Sequence, residues 1–298
     1  MQPRPEVGPS TRGARKRRKR IDLLAWALLT PALVLFLFAY VAPLIIFFKN
    51  SFYSYNLASL SNTVSFQAYQ TFITSPYWHT VLLQTVQLAA LTTLIGVCVG
   101  YPLAYALWKI RSVGVRMTLS IIVFSPLVIS SVVRAYGWEV LLSDNGAVNY
   151  ILKFVRHSPD PVQLVFNLTG TLIALVHLIL PFLVFPIYIS LTRIDPTVLE
   201  AARDLGADWL TVFRRVTLPL SLPGLVTAAN ISFSIGLGIF VIPAFVGGGR
   251  VLVLPITIFD DTSVVNWPSA AVGGIVLLAL ALLAVGLFSR LLRFSSYS

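Results

Sequence analysis

Six apolar runs, each long enough to cross the roughly 30 Å hydrocarbon layer of a bilayer as a helix, leave this 298-residue chain few folds to choose from. They occupy residues 23–48, 81–108, 117–142, 168–191, 220–246 and 270–292. Lipid offers no hydrogen-bond partner, so a backbone crossing it must satisfy its own donors and acceptors, and runs of this length read as α-helices. Only 11% of the residues are charged and 57% are apolar, whereas soluble domains carry about 25% charge. The expectation is an all-α integral membrane protein with six transmembrane helices in residues 21–298. Ahead of it, residues 1–20 read as a basic disordered tail, rich in Pro and Gly, whose closing RKRRKR lies against anionic lipid headgroups.

The net charge of +11 is informative through its placement. With the N-terminus cytoplasmic, 17 of the 22 Lys and Arg residues fall in the tail, in 109–116, in 193–215 and at Arg290 and Arg293. Outside stand Lys49, Lys153, Arg156 and Arg250, and Arg134 lies within the third run. This asymmetry is the one that orients membrane helices, so both termini are expected in the cytoplasm, and the basic surplus calls for membrane lipid and for no nucleic acid. The first run is about twenty-six residues long, contains Pro31 and Pro43 and has no small-residue cleavage site before Lys49, so it is expected to stay as a span. Cys98 is the only cysteine, sits in an apolar run and reads as a packing residue.

Between the fourth and fifth runs lies a polar island, DPTVLEAARDLGADWLTVFRRVTLP, from Asp195 to Pro219. Asp195 before Pro196 starts a short helix, Gly206 supplies the left-handed residue that stops it, and Asp208 caps a second helix. In the second helix Trp209, Val212, Phe213 and Val216 share one face, with Arg214 and Arg215 turned away. Within the island, Glu200, Ala201, Ala202 and Gly206, then nine residues, then Val216, Thr217, Leu218 and Pro219, resemble the EAA loop of the membrane subunits of binding-protein-dependent ABC importers. Val216 stands where that pattern has isoleucine. The resemblance implies a cytoplasmic coupling helix, with Glu200, Ala201, Ala202, Arg203, Asp204 and Gly206 docking on a separate ATPase subunit that alone binds ATP.

A second stretch, Arg134, Tyr136, Gly137, Leu141, Gly146 and Asn149, is similar to the R-x-Y-G, later L, later G-x-x-N segment of spermidine/putrescine-type permeases, and NWPSAA at 266–271 to the Trp-Pro before their last span. This likeness implies a second permease subunit, favouring a heterodimer, and an external or periplasmic solute-binding protein at the bacterial inner membrane. It also points to a small organic cation such as a polyamine. Carboxylates pair with ammonium groups and aromatic faces attract cations by about 0.5–2 kcal/mol. The expected outer mouth is therefore Tyr136, Trp138 and Glu139 from the third run with Asp260, Asp261 and Trp267 from the last external loop. Arg134 is counted in this path, although it lies four residues before Trp138 and is placed to occupy that ring itself. The competing reading makes the tryptophans interface anchors and the aspartates a solvated turn.

No G-x-x-x-x-G-K-[ST] cradle, HExxH or G-x-S-x-G occurs, and His79, His157 and His177 are scattered, so neither an enzyme nor a resident metal or cofactor is expected. A self-contained, ion-coupled secondary transporter is the alternative. It would need acidic or polar residues deep within spans, whereas the acidic residues here lie in loops or near span ends.

Overall fold

The computed structural model describes residues 26, 28–54 and 63–295; the basic tail 1–20 lies outside the described residues. Among the described residues the only β pairing is an isolated bridge between Tyr53 and Val64, and the rest of the regular structure is helical. In chain order the helices are α1 (Leu28–Asn50), α2 (Gln67–Thr74), α3 (Pro76–Lys109), α4 (Val113–Phe124) and α5 (Ser131–Leu142). Then follow α6 (Ala147–Arg156), α7 (Leu168–Thr192), α8 (Pro196–Asp204), α9 (Trp209–Gly238), α10 (Val241–Val246), α11 (Leu254–Ser263) and α12 (Trp267–Ser295). Five of them, α1, α3, α7, α9 and α12, are long and apolar enough to span a membrane. The count reaches six when the bent pair made by the third run is taken as one broken span.

The centre of the fold is the mutual packing of α3, α7 and α9, with α12 laid on α9 and α11 on α12. On α7, Leu175, Ile179, Leu183, Ile187 and Leu191 are fully buried at successive four-residue spacing. That spacing places them on one stripe facing the bundle. Opposite faces carry exposed apolar side chains such as Leu83 and Leu94 of α3, as lipid-facing surfaces do. Between helices in lipid, association relies on close packing rather than on a hydrophobic drive. The pair Gly96 and Gly100 serves that end, because a Cβ at Gly100 would sit 3.1 Å from Leu183 Cβ of α7. Gly236 of α9 likewise packs directly on Ala89 of α3. Tyr101 of α3 donates its hydroxyl hydrogen to Ser221 Oγ of α9 at 2.9 Å, and Ser221 O–H in turn donates to the Leu218 carbonyl at 3.0 Å. Cys98, read from sequence as a packing residue, is exposed instead on the outer face of α3.

Two runs depart from the single spans expected of them. The third breaks at residues 128–130 after a 3-10 turn at Ser125–Leu127, and its two parts meet at 104°. A continuous apolar run conceals such a break, because hydrophobicity reports lipid compatibility and not chain direction. The fifth begins earlier and ends earlier than expected. The helix capped by Asp208 continues through a π turn at Phe213–Thr217 straight into the membrane span, then stops at Gly238, and α10 follows as a separate short helix packed on α5.

Candidate functional site

The loop between α7 and α9 is built by local chemistry. Asp195 accepts a hydrogen bond from the Thr197 backbone N–H at 2.9 Å, opening α8 with Pro196 in its first turn. That backbone bond, reinforced by the Thr197 hydroxyl, holds the Asp195 carboxyl below the usual carboxylate range. The C-terminus of α8 closes as a Schellman turn: Ala207 N–H reaches the Ala202 carbonyl at 3.1 Å and Gly206 N–H the Arg203 carbonyl at 2.8 Å. Gly206 has φ +81, the left-handed value expected of it. Asp208 then accepts from Thr211 N–H at 3.1 Å to start α9, and Thr211 keeps this carboxyl depressed as well.

Leu199 is buried in the main core cluster, and Ala202 and Ala207 pack against that cluster, so α8 is seated on the bundle by one side only. Glu200, Ala201, Arg203, Asp204 and Gly206 are exposed. Beyond the loop, Phe213 meets the rings of Tyr105 and Tyr101 at centroid distances of 5.5 and 5.9 Å, and Lys109 stands 4.3 Å over the Trp108 ring. These ring contacts join the foot of α9 to the foot of α3 beside the loop. Val212 is buried and Val216 partly buried, as expected, with Arg214 and Arg215 exposed. Trp209 contradicts the expected face: it is 71% exposed, because the helix begins at that residue and its first turn projects past the bundle. Leu205, 89% exposed, joins it to give the charged surface two apolar projections that sequence reasoning missed.

At the other end of the bundle the third run shows what its polar residues do. The Arg134 guanidinium donates to the carbonyls of Pro126 and Ile129, at 2.6 Å for the latter, and so covers the open end of the broken helix. A break in a membrane helix persists only where freed backbone groups find such partners. Trp138 donates from Nε1 to His177 Nδ1 of α7 at 3.1 Å, which commits its indole to the bundle interior. Asn149, fully buried, donates to the carbonyls of Leu142, Ser143 and Val162 and accepts from Val162 N–H at 2.9 Å. The stretch quoted from Arg134 to Asn149 is thus largely a fold-forming signature. Its last member, Asn149, is the residue whose importance the pattern could have signalled.

The remaining mouth residues fall into two sets. Tyr136 is exposed and Glu139 half-buried on α5, which packs against α6, α7 and α10. Asp260 is exposed and Asp261 half-buried on α11, which packs against α12 and α3. Asp261 accepts from Asn266 Nδ2 at 3.3 Å, its Oδ2 is buried without a hydrogen-bond partner, and burial pushes its carboxyl up from the usual range. Trp267 is 45% exposed at the start of α12. Two further polar residues tie this end together: Gln84 accepts from Leu252 N–H at 3.0 Å and Thr85 from Leu254 N–H at 2.9 Å.

Comparison with known proteins fits this architecture. Residues 13–294 match the family described as binding-protein-dependent transport system inner membrane component. The chain is 32% identical over 265 residues to the spermidine/putrescine transport system permease protein PotB of Escherichia coli (strain K12), covering 88% of this chain and 95% of that one. It is 30% identical over 219 residues to the molybdenum transport system permease protein ModB of Azotobacter vinelandii, covering 72% and 90%. Its fold superposes with TM-score 0.79 on a chain from the crystal structure of a bacterial ABC transporter involved in the import of the acidic polysaccharide alginate, at 22% identity and covering 94% of this chain and 98% of that one. With helix order, family match and full-length relatives in agreement, this chain belongs to the inner membrane components of binding-protein-dependent transport systems.

Proposed function

We propose that the chain is one permease of an ATP-driven importer whose solute is a polyamine of the spermidine or putrescine class. The observation that carries the substrate class is the nearly full-length similarity to the E. coli spermidine/putrescine permease. In this reading the chain pairs with a second, different permease, and two ATPase subunits dock on the exposed side of α8. There Glu200, Arg203 and Asp204 supply charge, Leu205 and Trp209 supply apolar contact, and ATP stays on the partner. A solute-binding protein delivers its ligand at the opposite face. The chain itself holds no cofactor, and its contribution is geometric: closure of the ATPase pair tilts the permeases, and the seating of Leu199 and Phe213 carries that tilt into α3 and α9. The distribution of Lys and Arg supports cytoplasmic termini and a cytoplasmic α8.

Along the path, Tyr136, Glu139, Asp260, Asp261 and Trp267 remain the groups suited to a cation, whereas Arg134 and Trp138 act through the broken span. The test is uptake of labelled spermidine and putrescine into proteoliposomes holding the complete transporter, with Glu139→Gln and Asp260→Asn variants beside wild type. Polyamine uptake by wild type with loss in either variant is the expected result. Absence of polyamine uptake overturns the substrate class, and normal uptake in both variants removes these carboxylates from the path.

A further inference from the structure

On the same side of the bundle as the α8 loop, a cavity of about 340 Å³ opens between α3, α4 and α7. Its inner wall is apolar, formed by Leu107, Phe124 and Val184. Three polar side chains also line it: Arg116, Ser120 and Tyr188. None of these side chains has a hydrogen-bond or ion-pair partner among the described residues. Arg116 is partly buried at the start of α4, and Tyr188 lies one turn before the end of α7. A cation beside two unused hydroxyls, at an apolar recess, offers donors of the kind that charge-assisted hydrogen bonds to an anion use.

We propose that this cavity binds one anionic phospholipid, with its phosphate held by Arg116, Ser120 and Tyr188 and an acyl chain laid along Leu107, Phe124 and Val184. The combination of one cation and an apolar trough selects an amphiphilic anion over a free one, because a soluble phosphate leaves the trough unfilled. A basic pocket between transmembrane helices is the geometry that recognises anionic headgroups. Occupation would brace α4 against α7, the helix that leads directly into α8.

The inference rests on the chain being a membrane span bundle and is independent of which leaflet faces the cytoplasm. The assembled transporter in detergent micelles would be titrated with phosphatidylglycerol and with phosphatidylcholine and read by native mass spectrometry. Wild type is expected to retain phosphatidylglycerol about fivefold more tightly than phosphatidylcholine, the scale of one basic contact to an anionic headgroup. Arg116→Gln should erase that preference, Arg116→Lys should keep most of it, and Ser120→Trp should exclude both lipids by filling the trough. Retention of the Lys variant also shows that the substituted chain still folds. The proposal is overturned by equal retention of the two lipids in wild type, by a preference that survives Arg116→Gln, or by displacement of phosphatidylglycerol with inorganic phosphate. Binding by the isolated chain that vanishes in the assembled transporter would overturn it too, because the second permease would then be the occupant.

Discussion

Replacing Gly206 separates backbone strain from side-chain size, because the site offers one and lacks the other. Its φ is +81, and a Cβ built there meets no atom within 4 Å. No clash contributes, so the cost of a substitution is that of placing a side chain in the left-handed region. That is about 1–2 kcal/mol for alanine, less for asparagine, whose short polar side chain bonds locally, and up to about 3 kcal/mol for β-branched valine. Each 1.4 kcal/mol is a tenfold change in population, so valine reduces the closed Schellman turn roughly 30- to 100-fold while asparagine leaves most of it intact. The turn fixes the end of α8 through Ala207 N–H to the Ala202 carbonyl. Its loss therefore frees the exposed charges from their seat without touching the bundle. In proteoliposomes holding the complete transporter, ATP hydrolysis stimulated by the binding protein should fall in the order Gly, Asn, Ala, Val, with insertion and lipid-phase stability unchanged. If asparagine proves as damaging as valine, or valine behaves as wild type, the backbone argument fails.

Arg134→Gln withdraws the cation from two carbonyls of the broken third span and should cost about 2–4 kcal/mol, seen as a fall of several degrees in thermal unfolding in detergent; an unchanged midpoint would show that water covers these carbonyls. Asp195 and Asp208 are depressed in the folded state, so their caps are fully present above the ordinary aspartate pKa of about 3.9 and are lost as pH falls through the lower folded values. Amide exchange at Thr197 and Thr211, corrected for intrinsic rates, should stay protected from pH 7 to about 5 and open only below about 4. Asparagine at both caps should abolish that pH dependence, and protection lost near neutrality would contradict the assignment. For orientation, on a Cys98→Ala background a cysteine at Thr211 should resist an impermeant thiol reagent in intact cells and one at Ser263 should react, and the reverse pattern would invert the topology.

Some features were legible in the residues alone because their causes are local. A long apolar run in lipid must be helical, which located the spans at 168–191 and 270–292 to within a few residues of α7 and α12. Asp195, Gly206 and Asp208 act on backbone groups within a few positions of themselves, so the helix, turn and helix of the loop between α7 and α9 could be read from their order. The fate of polar groups inside the apolar runs was of another kind. Arg134 and Trp138 admit a path reading beside a structural one, and only the bend at 128–130 and the approach of His177 show what each of them bonds to. Tyr101 and Ser221 are 120 residues apart, and nothing near either predicts the other. Trp209 shares the helical period of Val212 and Phe213 yet projects outward, because burial depends on where the neighbouring bundle ends. Local hydrogen bonding and the apolar runs that must be helical in water-free lipid were set by the chain itself; which side of each helix finds a partner was settled by packing between segments distant in sequence.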